Sequence, residues 1–433
     1  MRINIPETNQ KRIVIVGGGF AGLTLARKLR RSDYLTVLVD KNNYHQFQPL
    51  FYQVATAGLE PSSIIYPLRK MFQRNKNTYI RVTSVKKIEP AENRVLTEFG
   101  ILNYDYLVLA HGADTNYFGN KKIAENVIPM KSVGEALSLR NILFTDFERA
   151  LTSDDPDEIS GLLNIVIVGG GPTGVEVAGA LAEMKKHIIP KDYPELDHDQ
   201  IGIHLIQGAD CLLKGMSDEA SESALEFLKK LDVKVQLNTR VTDYDGKHLT
   251  LEDGRKIGAT KVIWAAGIRG NTIEGLPSSS IGGGNRIKVN DYNQVEGFDN
   301  IYAIGDIALM NSDELPYGHP QVAQVAMQQA SNLAINFKAM LKNKATKPFR
   351  YKDLGSMATI GRRLAVCDLN YWKFQGTFAW LVWLFVHLLQ LIGFKNRVFV
   401  FLNWVWNYMF YDQSLRLIIK TANGRKKDKP VNA

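Results

Sequence analysis

Two stretches of the chain share one pattern, in which an apolar run ends in closely spaced glycines and leads into apolar residues at helical spacing. The first extends from Val14 to Gly22 and the second from Ile165 to Gly174. Such a run predicts a buried strand, and the glycines predict a tight turn that opens a helix. Glycines at the G-x-G-x-x-G spacing let the backbone and a helix N-terminus approach a pyrophosphate. The repeat therefore predicts two dinucleotide-binding βαβ units.

Two further apolar runs complete the first unit. Thr36–Val39 is predicted to form a strand that ends at Asp40, 23 positions after Gly17, where a carboxylate accepts hydrogen bonds from an adenosine ribose. The other interpretation of Asp40 is a solvent-exposed residue at a strand end. Tyr106–Ala113 predicts a buried strand with a small-residue turn, the point at which a parallel sheet passes close to a nucleotide.

The second unit repeats this order of elements. Gly202–Ile206 predicts a strand that ends at Gln207, and Val262–Gly267 predicts a strand that leads into a small-residue turn. Between the units, Ser132–Leu151 has helical spacing, and the polar stretch Thr152–Gly161 is a candidate domain boundary. The internal repeat thus extends beyond the glycines.

Two stretches of the first half carry weaker signals. The aromatic and amide-rich stretch Asn43–Gly58 is typical of a loop that wraps a cofactor, or of a packed structural loop. Alternating residues in Tyr79–Leu96 predict a small hairpin.

A third region places polar side chains near the start of a predicted helix. Asn300–Asp306 predicts a strand followed by Gly-Asp, and Pro320–Ala330 predicts the beginning of a helix. Gln321, Gln324 and Gln328 share one face of that helix because they recur at three- and four-residue intervals. A solvated polar stripe is the ordinary interpretation. Its position at the helix start, after the Gly-Asp strand, favours a site-lining role.

The C-terminal part contains two long apolar segments rich in Trp and Tyr, Thr377–Phe394 and Val398–Ile419. Each nearly reaches the length of a membrane span, so a spanning hairpin, interfacial helices and buried core helices all remain open. Lys395 and Arg397 lie between the segments. A hairpin would place them across the bilayer from the other domains, against the positive-inside tendency. Charge therefore favours helices that lie in the plane of the membrane surface. Further basic residues follow: Arg416, Lys420, Arg425, Lys426 and Lys427.

Composition narrows the class of partner. The chain of 433 residues, with 45% hydrophobic and 22% charged residues, suits two or three ordinary globular domains. Its formal net charge of +9 favours an anionic membrane surface or phosphorylated ligands, whereas no basic stretch is interleaved with aromatic residues as nucleic-acid binding requires. The only cysteines, Cys211 and Cys367, form no C-x-x-C motif, and the polar N-terminus resembles no export signal. We expect no metal site.

These features together resemble one family. Ala323–Gln328 fits the A-Q-x-A-x-Q quinone-site motif, Gly169–Glu176 fits G-x-G-x-x-G-x-E, and Gly305–Asp306 fits the Gly-Asp motif of two-dinucleotide-binding-domain flavoproteins. Over nearly its whole length the chain resembles the type II NADH:quinone oxidoreductases, single-subunit respiratory enzymes that do not pump protons. The resemblance implies an α/β fold of two Rossmann-like domains, for FAD and for NAD, with a C-terminal membrane-associating helical region. It also implies a homodimer.

The resemblance further implies roles for individual residues. Glu176 would orient the nicotinamide or relay a proton, unless it is only a structural carboxylate at a helix start. The quinone headgroup would contact Gln324 and Gln328. The NADH side would be formed by Gly169, Gly171, Gly174, Gln207 and Gly267. The FAD would be held by Gly17, Gly18, Gly19, Phe20, Ala21, Gly22, Asp40, Lys41, Gln48, Val85, Ala110, Gly112, Gly305, Asp306 and Ala323.

One position departs from the family pattern. The second strand of the NAD unit often ends in Glu in this family, and here it ends in Gln207. A carboxylate repels the 2′-phosphate of NADPH and an amide does not. We therefore expect NADH as the main donor, with weakened discrimination against NADPH. A simple hydrogen bond from Gln207 to the NADH ribose is the alternative.

The predicted reaction passes a hydride from NADH to flavin and two electrons to a membrane quinone. A soluble ferredoxin–NAD(P) reductase and an apoptosis-inducing-factor-like flavoprotein remain alternatives. The first leaves the aromatic tail unexplained, and rapid NADH-dependent reduction of a quinone analogue would argue against the second. Disulfide reductases would need a close cysteine pair. The predicted location is peripheral, on the cytoplasmic face of the inner (cell) membrane. The predicted boundaries place the FAD domain at 1–125 and 286–350, a linker helix at 126–162, the NAD(P)H domain at 163–285 and the C-terminal region at 351–433.

Overall fold

The structure is a computed structural model that describes residues 3–313, 315–410 and 415–419. Five aromatic and basic residues of the predicted tail lie outside the described residues: Tyr411, Lys420, Arg425, Lys426 and Lys427.

The first part of the chain alternates strands with short helices. Its strands are β1 (Arg12–Val16), β2 (Leu35–Asp40), β3 (Tyr44–Gln46), β4 (Ile65–Pro67), β5 (Thr78–Val82), β6 (Val85–Glu89), β7 (Arg94–Thr97), β8 (Gly100–Asn103), β9 (Tyr106–Leu109) and β10 (Ala113–Thr115). Its helices are α1 (Phe20–Leu29), α2 (Phe51–Ala55), α3 (Leu68–Phe72) and α4 (Lys121–Asn126).

The middle part contains longer helices. Its strands are β11 (Ile128–Pro129), β12 (Ile165–Val168), β13 (Ile203–Ile206), β14 (Lys234–Gln236), β15 (Val241–Tyr244), β16 (His248–Leu251), β17 (Lys256–Gly258), β18 (Lys261–Trp264) and β19 (Ile268–Gly270). Its helices are α5 (Val133–Ala150), α6 (Pro156–Leu163), α7 (Pro172–His187), α8 (Ile189–Asp192) and α9 (Asp218–Lys230).

The last part ends in two apolar helices. Its strands are β20 (Ile281–Gly282), β21 (Arg286–Lys288), β22 (Ile301–Ala303), β23 (Ala308–Leu309), β24 (Ser356–Gly361), β25 (Leu364–Leu369) and β26 (Trp372–Gln375). Its helices are α10 (Ala323–Met340), α11 (Thr377–Gln390) and α12 (Phe394–Phe410).

Two parallel five-stranded sheets organise the molecule. The first has the order β22-β9-β1-β2-β5, and the second has the order β11-β18-β12-β13-β14. Ile13 and Ile15 of β1 enter one hydrophobic cluster, whereas Val14 and Val16 enter another, because both faces of the sheet are covered. This double burial explains the uninterrupted apolar run. The antiparallel pair β10–β19 connects the exits of the two sheets.

Several sequence expectations need correction. The expected hairpin at Tyr79–Leu96 is divided, because β5 joins the parallel sheet beside β2 and the antiparallel sheet is formed by β6, β7 and β8. The polar stretch Thr152–Gly161 contains the start of α6, whose N-cap Asp155 and first residue Pro156 are ordinary helix-start signals. The segment before the apolar helices forms the antiparallel sheet β24–β26, which the sequence analysis did not predict.

The second domain and the C-terminal sheet meet at a glycine. A Cβ at Gly179 of α7 would lie 1.5 Å from the carbonyl oxygen of Ile360 in β24. No other residue type allows this approach without displacing the strand. In the part of the chain that the structure describes, no helix is both long and apolar enough to cross a bilayer.

Candidate functional site

The first glycine turn is closed by backbone packing at two positions and open at a third. A Cβ at Gly17, whose φ is +106°, would lie 2.4 Å from the carbonyl oxygen of Ala110, and one at Gly22 would lie 1.9 Å from the carbonyl oxygen of Gly17. A Cβ at Gly19 would meet no atom within 4 Å. Gly19 is the N-cap of α1, and its helix start has no side-chain cap. The turn therefore offers the backbone N–H groups of the helix start and free space beside Gly19, and a pyrophosphate requires both.

The second turn repeats this construction. A Cβ at Gly169 would lie 2.6 Å from the carbonyl group of Ala265, and one at Gly174 would lie 1.8 Å from the carbonyl oxygen of Gly169. Gly171 is again open, with no atom within 4 Å of its Cβ position, and it is the N-cap of α7. The two turns are therefore equivalent cradles at the carboxyl ends of the two parallel sheets.

Each glycine turn is held by a hydrogen bond to a side chain at the end of the strand that follows in sequence. Asp40 Oδ2 accepts a hydrogen bond from the Gly18 N–H at 2.5 Å, and Gln207 Oε1 accepts one from the Gly170 N–H at 3.0 Å. Burial raises the pKa of Asp40, although hydrogen bonds from backbone N–H groups oppose this effect. The Gln207 amide also donates to the carbonyl oxygen of Cys211 at 3.1 Å. The first cradle is thus bordered by a carboxylate and the second by a neutral amide.

A partly buried carboxylate follows β22. Gly305, with a φ of +76°, donates its N–H to Gln329 Oε1 at 2.7 Å. The adjacent carboxylate of Asp306 accepts no hydrogen bond from any residue that the structure describes. Burial raises the pKa of Asp306, and the positive charges of Lys131 and Arg286 oppose the rise. A partly buried acceptor of this kind suits the hydroxyl groups of a bound ligand.

The residues of the first cradle therefore fit FAD. The space at Gly19 would take the pyrophosphate, Asp40 the adenosine ribose and Asp306 a hydroxyl of the ribityl chain. Phe20 and Ala21 open α1, and Ala323 opens α10 at its uncapped N-terminus. Each of these positions is one of the residues that the sequence analysis assigned to FAD.

Other predicted cofactor residues occupy the exits of the sheets. Gly112, with a φ of +72°, has no atom within 4 Å of its Cβ position, and Gly267 occupies the equivalent place in the second half with a φ of +95°. Lys41 and Gln48 have exposed side chains, and Val85 begins β6. The FAD contacts of these last three residues stay predictions, and that of Val85 is expected through its backbone.

Gln324 and Gln328 of α10 face the chain that leads into β24. The expected helix face of three glutamines is wrong at Gln321, which precedes α10 and donates to the carbonyl oxygen of Asp306 at 2.9 Å. Gln324 donates to the carbonyl oxygen of Gly355 at 3.0 Å and accepts from the N–H of Leu354 at 3.2 Å. Gln328 pairs in the same way with Lys352, at 2.8 and 3.0 Å. Each amide uses one of its two N–H donors in these bonds, so a second N–H stays available for a ligand.

Glu176 lies in an apolar environment one turn inside α7. Burial raises its pKa to about 8, while the backbone of Thr359 and the indole of Trp383 act in the opposite direction. Tyr52 lies close enough for its own pKa to be raised by burial and by the charge of Glu176. A carboxyl group with a pKa near neutrality can both donate and accept a proton.

Sequence reasoning missed three groups near the site. Gln329 is buried and accepts a hydrogen bond from the Gly305 N–H. Its place in the same helix as Gln324 and Gln328 is the sequence signal that could have found it. His111 follows β9, and burial lowers its pKa to about 4. Trp383 and His387 stack with ring centroids 3.9 Å apart on the inner side of α11. Their four-residue spacing places them on one face, but only the structure shows which face is buried.

The comparisons with known proteins agree with this geometry. Residues 11–330 match the pyridine nucleotide-disulphide oxidoreductase family, and residues 354–411 match the NDH2 C-terminal domain. The type II NADH:quinone oxidoreductase Ndh of Mycobacterium tuberculosis is 35% identical over 415 residues, which cover 92% of this chain and 88% of that protein. The type II NADH:quinone oxidoreductase of Haemophilus influenzae is 32% identical, covering 85% of this chain and 90% of that protein. The chain belongs to the type II NADH:quinone oxidoreductases.

The fold gives independent agreement. The structure of NDH2 from Plasmodium falciparum in complex with NADH superposes with a TM-score of 0.87 at 22% identity, covering 95% of this chain and all of that chain. The predicted fold, enzyme class and cofactor set of FAD, NADH and quinone are therefore confirmed. The ferredoxin reductase and apoptosis-inducing-factor-like alternatives leave the match at 354–411 unexplained. Both cysteines are free, so the structure has no disulfide pair for a disulfide reductase.

We predict that Glu176→Gln changes the pH dependence of stability. The folded protein holds the Glu176 pKa at about 8, above its ordinary value of 4.5, so the folded state binds the proton more tightly than the unfolded state. Stability of the native chain should therefore fall as pH rises from about 4.5 to about 8, by up to about 1.4 kcal/mol per pH unit. The variant lacks this pH-dependent loss of stability. Its melting temperature should therefore rise relative to that of the native chain as pH increases across that window. Flavin fluorescence measures both melting temperatures. Exposed Glu226→Gln is the control. Parallel profiles for all three proteins would contradict the assignment.

Proposed function

We propose that the two cradles and α10 form one electron path. NADH binds at the second glycine turn, FAD at the first, and the quinone headgroup beside Gln324 and Gln328. When bound, FAD accepts the hydride of NADH and supplies two electrons to the quinone. The observation that supports this arrangement best is the duplicated cradle, open at Gly19 and Gly171, with the exits of both sheets connected by β10–β19. We also propose the domain boundaries given above.

The glutamines have two tasks in this proposal. Through Leu354 and Gly355, Gln324 holds the segment that enters β24, and its remaining N–H donates to a quinone oxygen. Gln328 does the same one turn later, through Lys352. Both tasks concern the acceptor side, so neither amide is needed for hydride transfer from NADH.

We expect Gln324→Ala to slow reoxidation of the reduced enzyme by a quinone analogue by about tenfold, the effect of one lost hydrogen bond to the acceptor. Reduction by NADH should stay within about twofold, since the second cradle is untouched. Anaerobic stopped-flow measurements of flavin absorbance separate the two steps. Asn332→Ala is a matched control, because Asn332 lies further along the same helix and holds Lys347 O at 3.1 Å. Equal loss in both half-reactions would refute the assignment of Gln324 to the quinone.

Donor specificity depends on the border of the second cradle. Gln207 occupies the strand end at which a carboxylate would repel a 2′-phosphate, and its amide is hydrogen-bonded to Gly170 and Cys211. Arg240 lies next to this strand end, since a Cβ at Gly208 would lie 3.3 Å from its Cγ. We propose that NADH is the main donor and that NADPH is accepted with weakened discrimination.

Gln207→Glu should therefore increase the preference for NADH over NADPH. Placing one negative charge beside the 2′-phosphate should lower kcat/KM for NADPH by on the order of tenfold or more, with a smaller change for NADH. Steady-state kinetics with both donors measure the ratio. If the native chain already discriminates by several orders of magnitude, the neutral amide has no part in specificity.

Membrane association is proposed to use α11 and α12. Phe378, Leu381, Phe385 and Leu389 of α11 form an exposed apolar stripe, with each side chain more than half exposed. Exposed apolar residues on α12 continue this surface: Phe399, Phe401, Leu402, Trp406, Met409 and Phe410. So large an apolar surface is typical of a helix pair that lies in the membrane interface.

Basic residues around these helices suit anionic headgroups. Lys395 follows the turn between the helices. A basic concavity on the first domain is lined by Arg30, Arg31, Arg74 and Lys76. The turn between the helices packs against the same domain at Tyr66. We propose that both groups face an anionic membrane surface, with the protein peripheral on the cytoplasmic face of the inner membrane. The homodimer stays a prediction from the family, and light scattering in detergent tests it.

The double variant Phe385→Ser/Leu389→Ser should weaken binding to anionic vesicles on the order of 100-fold, because two large apolar side chains no longer enter the interface. Vesicle co-sedimentation measures the effect, and flavin content checks that the variant is folded. Ile335→Ser is the control, since Ile335 is an exposed apolar residue on α10. Unchanged sedimentation of the double variant would show that α11 does not contact the membrane.

A further inference from the structure

A buried histidine lies beside the first glycine turn and has no part in the electron path proposed above. His45 belongs to β3, where it pairs with Tyr66 of β4 in antiparallel register, and it is 3% exposed. Its ring packs edge-to-face on the ring of Phe20, with centroids 5.3 Å apart. Because Phe20 is the first residue of α1, His45 contacts the helix whose N-terminus forms the cradle.

The imidazole of His45 is hydrogen-bonded to the turn itself. Its Nδ1 atom lies 3.0 Å from the carbonyl oxygen of Gly18. A carbonyl oxygen only accepts hydrogen bonds, so Nδ1 carries the proton and donates it. Burial lowers the pKa of His45, the hydrogen bond to Gly18 opposes this effect, and the positive charge of Arg27 adds to it. The ring is therefore neutral near neutral pH, and its single N–H is used on Gly18.

The second ring nitrogen supports the same tautomer. The Nε2 atom of His45 is buried and has no hydrogen-bond partner among the residues that the structure describes. A proton on Nε2 would bury an N–H without an acceptor and would also remove the donor from the carbonyl oxygen of Gly18. The surroundings of both nitrogens thus favour the tautomer that holds Gly18.

Gly18 is held through both of its peptide groups. Its N–H donates to Asp40 Oδ2 at 2.5 Å, and its carbonyl oxygen accepts from His45. The space at its α-carbon is closed as well, since a Cβ there would lie 3.2 Å from the carboxylate of Asp40 and 3.2 Å from the side chain of Leu68. The peptide group that joins Gly18 to Gly19 is therefore fixed in one orientation.

This orientation decides where the N–H of Gly19 points. In a planar trans peptide, the N–H and the carbonyl point in opposite directions. Since the carbonyl of Gly18 points toward His45, the N–H of Gly19 points away from it, and no residue that the structure describes accepts a hydrogen bond from this N–H. A Cβ at Gly19 would meet no atom within 4 Å. The N–H is thus available to a ligand in the open part of the cradle.

We infer that His45 is a positioning residue of the FAD site, whose Nδ1–H holds the Gly18 carbonyl and thereby aims the Gly19 N–H at the pyrophosphate. It acts through the peptide group that joins the two glycines. A bound phosphate gains from this N–H and from the uncapped start of α1 behind it. The inference depends on the proposed function, because that function places FAD in the first cradle.

Two substitutions separate the hydrogen bond from packing. The amide nitrogen of Asn occupies the place of Nδ1, whereas that of Gln occupies the place of Nε2 and is not adjacent to Gly18. We expect the FAD dissociation constant of His45→Asn to stay within about threefold of native. That of His45→Gln should rise about tenfold or more, because a buried carbonyl loses its donor. Flavin fluorescence during serial dilution of the holoenzyme measures both constants. His204→Gln, which changes a half-buried histidine of β13, is the matched control and should remain native.

A second measurement reports on the phosphates directly. Phosphorus NMR of the bound FAD pyrophosphate should give native chemical shifts for His45→Asn and altered shifts for His45→Gln, because the Gly19 N–H is no longer fixed. Packing alone predicts the opposite order, since Gln is closer to His in volume than Asn is. The inference fails if both variants show native affinity and native shifts, or if His45→Gln is closer to native than His45→Asn.

A third variant separates this inference from the proposed function. The side chain of Gly19→Val would fill the open part of the first cradle, so this variant should lose FAD, and far-UV circular dichroism checks that it is folded. Retention of FAD by Gly19→Val would overturn the placement of FAD in this cradle and with it the proposed function. Loss of FAD by Gly19→Val, together with native behaviour of His45→Gln, would overturn only the role of His45.

Discussion

The contact between α7 and β24 is the constraint on which the site depends. It exists because Gly179 allows the helix backbone to touch the carbonyl oxygen of Ile360. The approach removes Glu176 from water and so raises its pKa to about 8. The same contact places the backbone of Thr359 beside that carboxylate. One missing side chain therefore sets the chemistry of the buried acid.

The two glycine turns show how one backbone design accommodates two roles. In both turns the first glycine, Gly17 or Gly169, packs against the residue that follows a neighbouring strand. The last glycine, Gly22 or Gly174, packs against the first glycine, and the Cβ position of the middle glycine is open. The difference lies in the residue that fixes the turn from the next strand, Asp40 in one case and Gln207 in the other. A carboxylate suits a resident ligand held through ribose hydroxyls. In the proposed function, a neutral amide leaves the second cradle tolerant of the extra phosphate of NADPH.

The sequence predicted the backbone of the site better than its side-chain partners. Gly17, Gly22, Gly169 and Gly174 were found because a close backbone approach leaves a mark at a fixed spacing. Gly179 was missed, since a single glycine inside a helical pattern has no such spacing and its partner Ile360 is 181 positions away. The partners of the α10 glutamines were missed for the same reason, since they lie 24 and 31 positions away. The sheet β24–β26 was missed for a different reason. Short strands that pair with their sequence neighbours carry little periodic signal.

The apolar helices could be recognised from sequence, but their relation to the site could not. Three side-chain hydrogen bonds attach α12 to the first domain: Trp404 Nε1 to Gln53 Oε1 at 2.7 Å, Asn407 to Gly58 O at 3.1 Å and Asn396 to Ile65 O at 2.9 Å. Gln53 in turn donates to the hydroxyl of Tyr52, the residue whose pKa responds to Glu176. The surface that we assign to the membrane is therefore fixed at a short distance from the buried acid. Under the proposed function, a quinone dissolved in that membrane would reach the site without crossing bulk water.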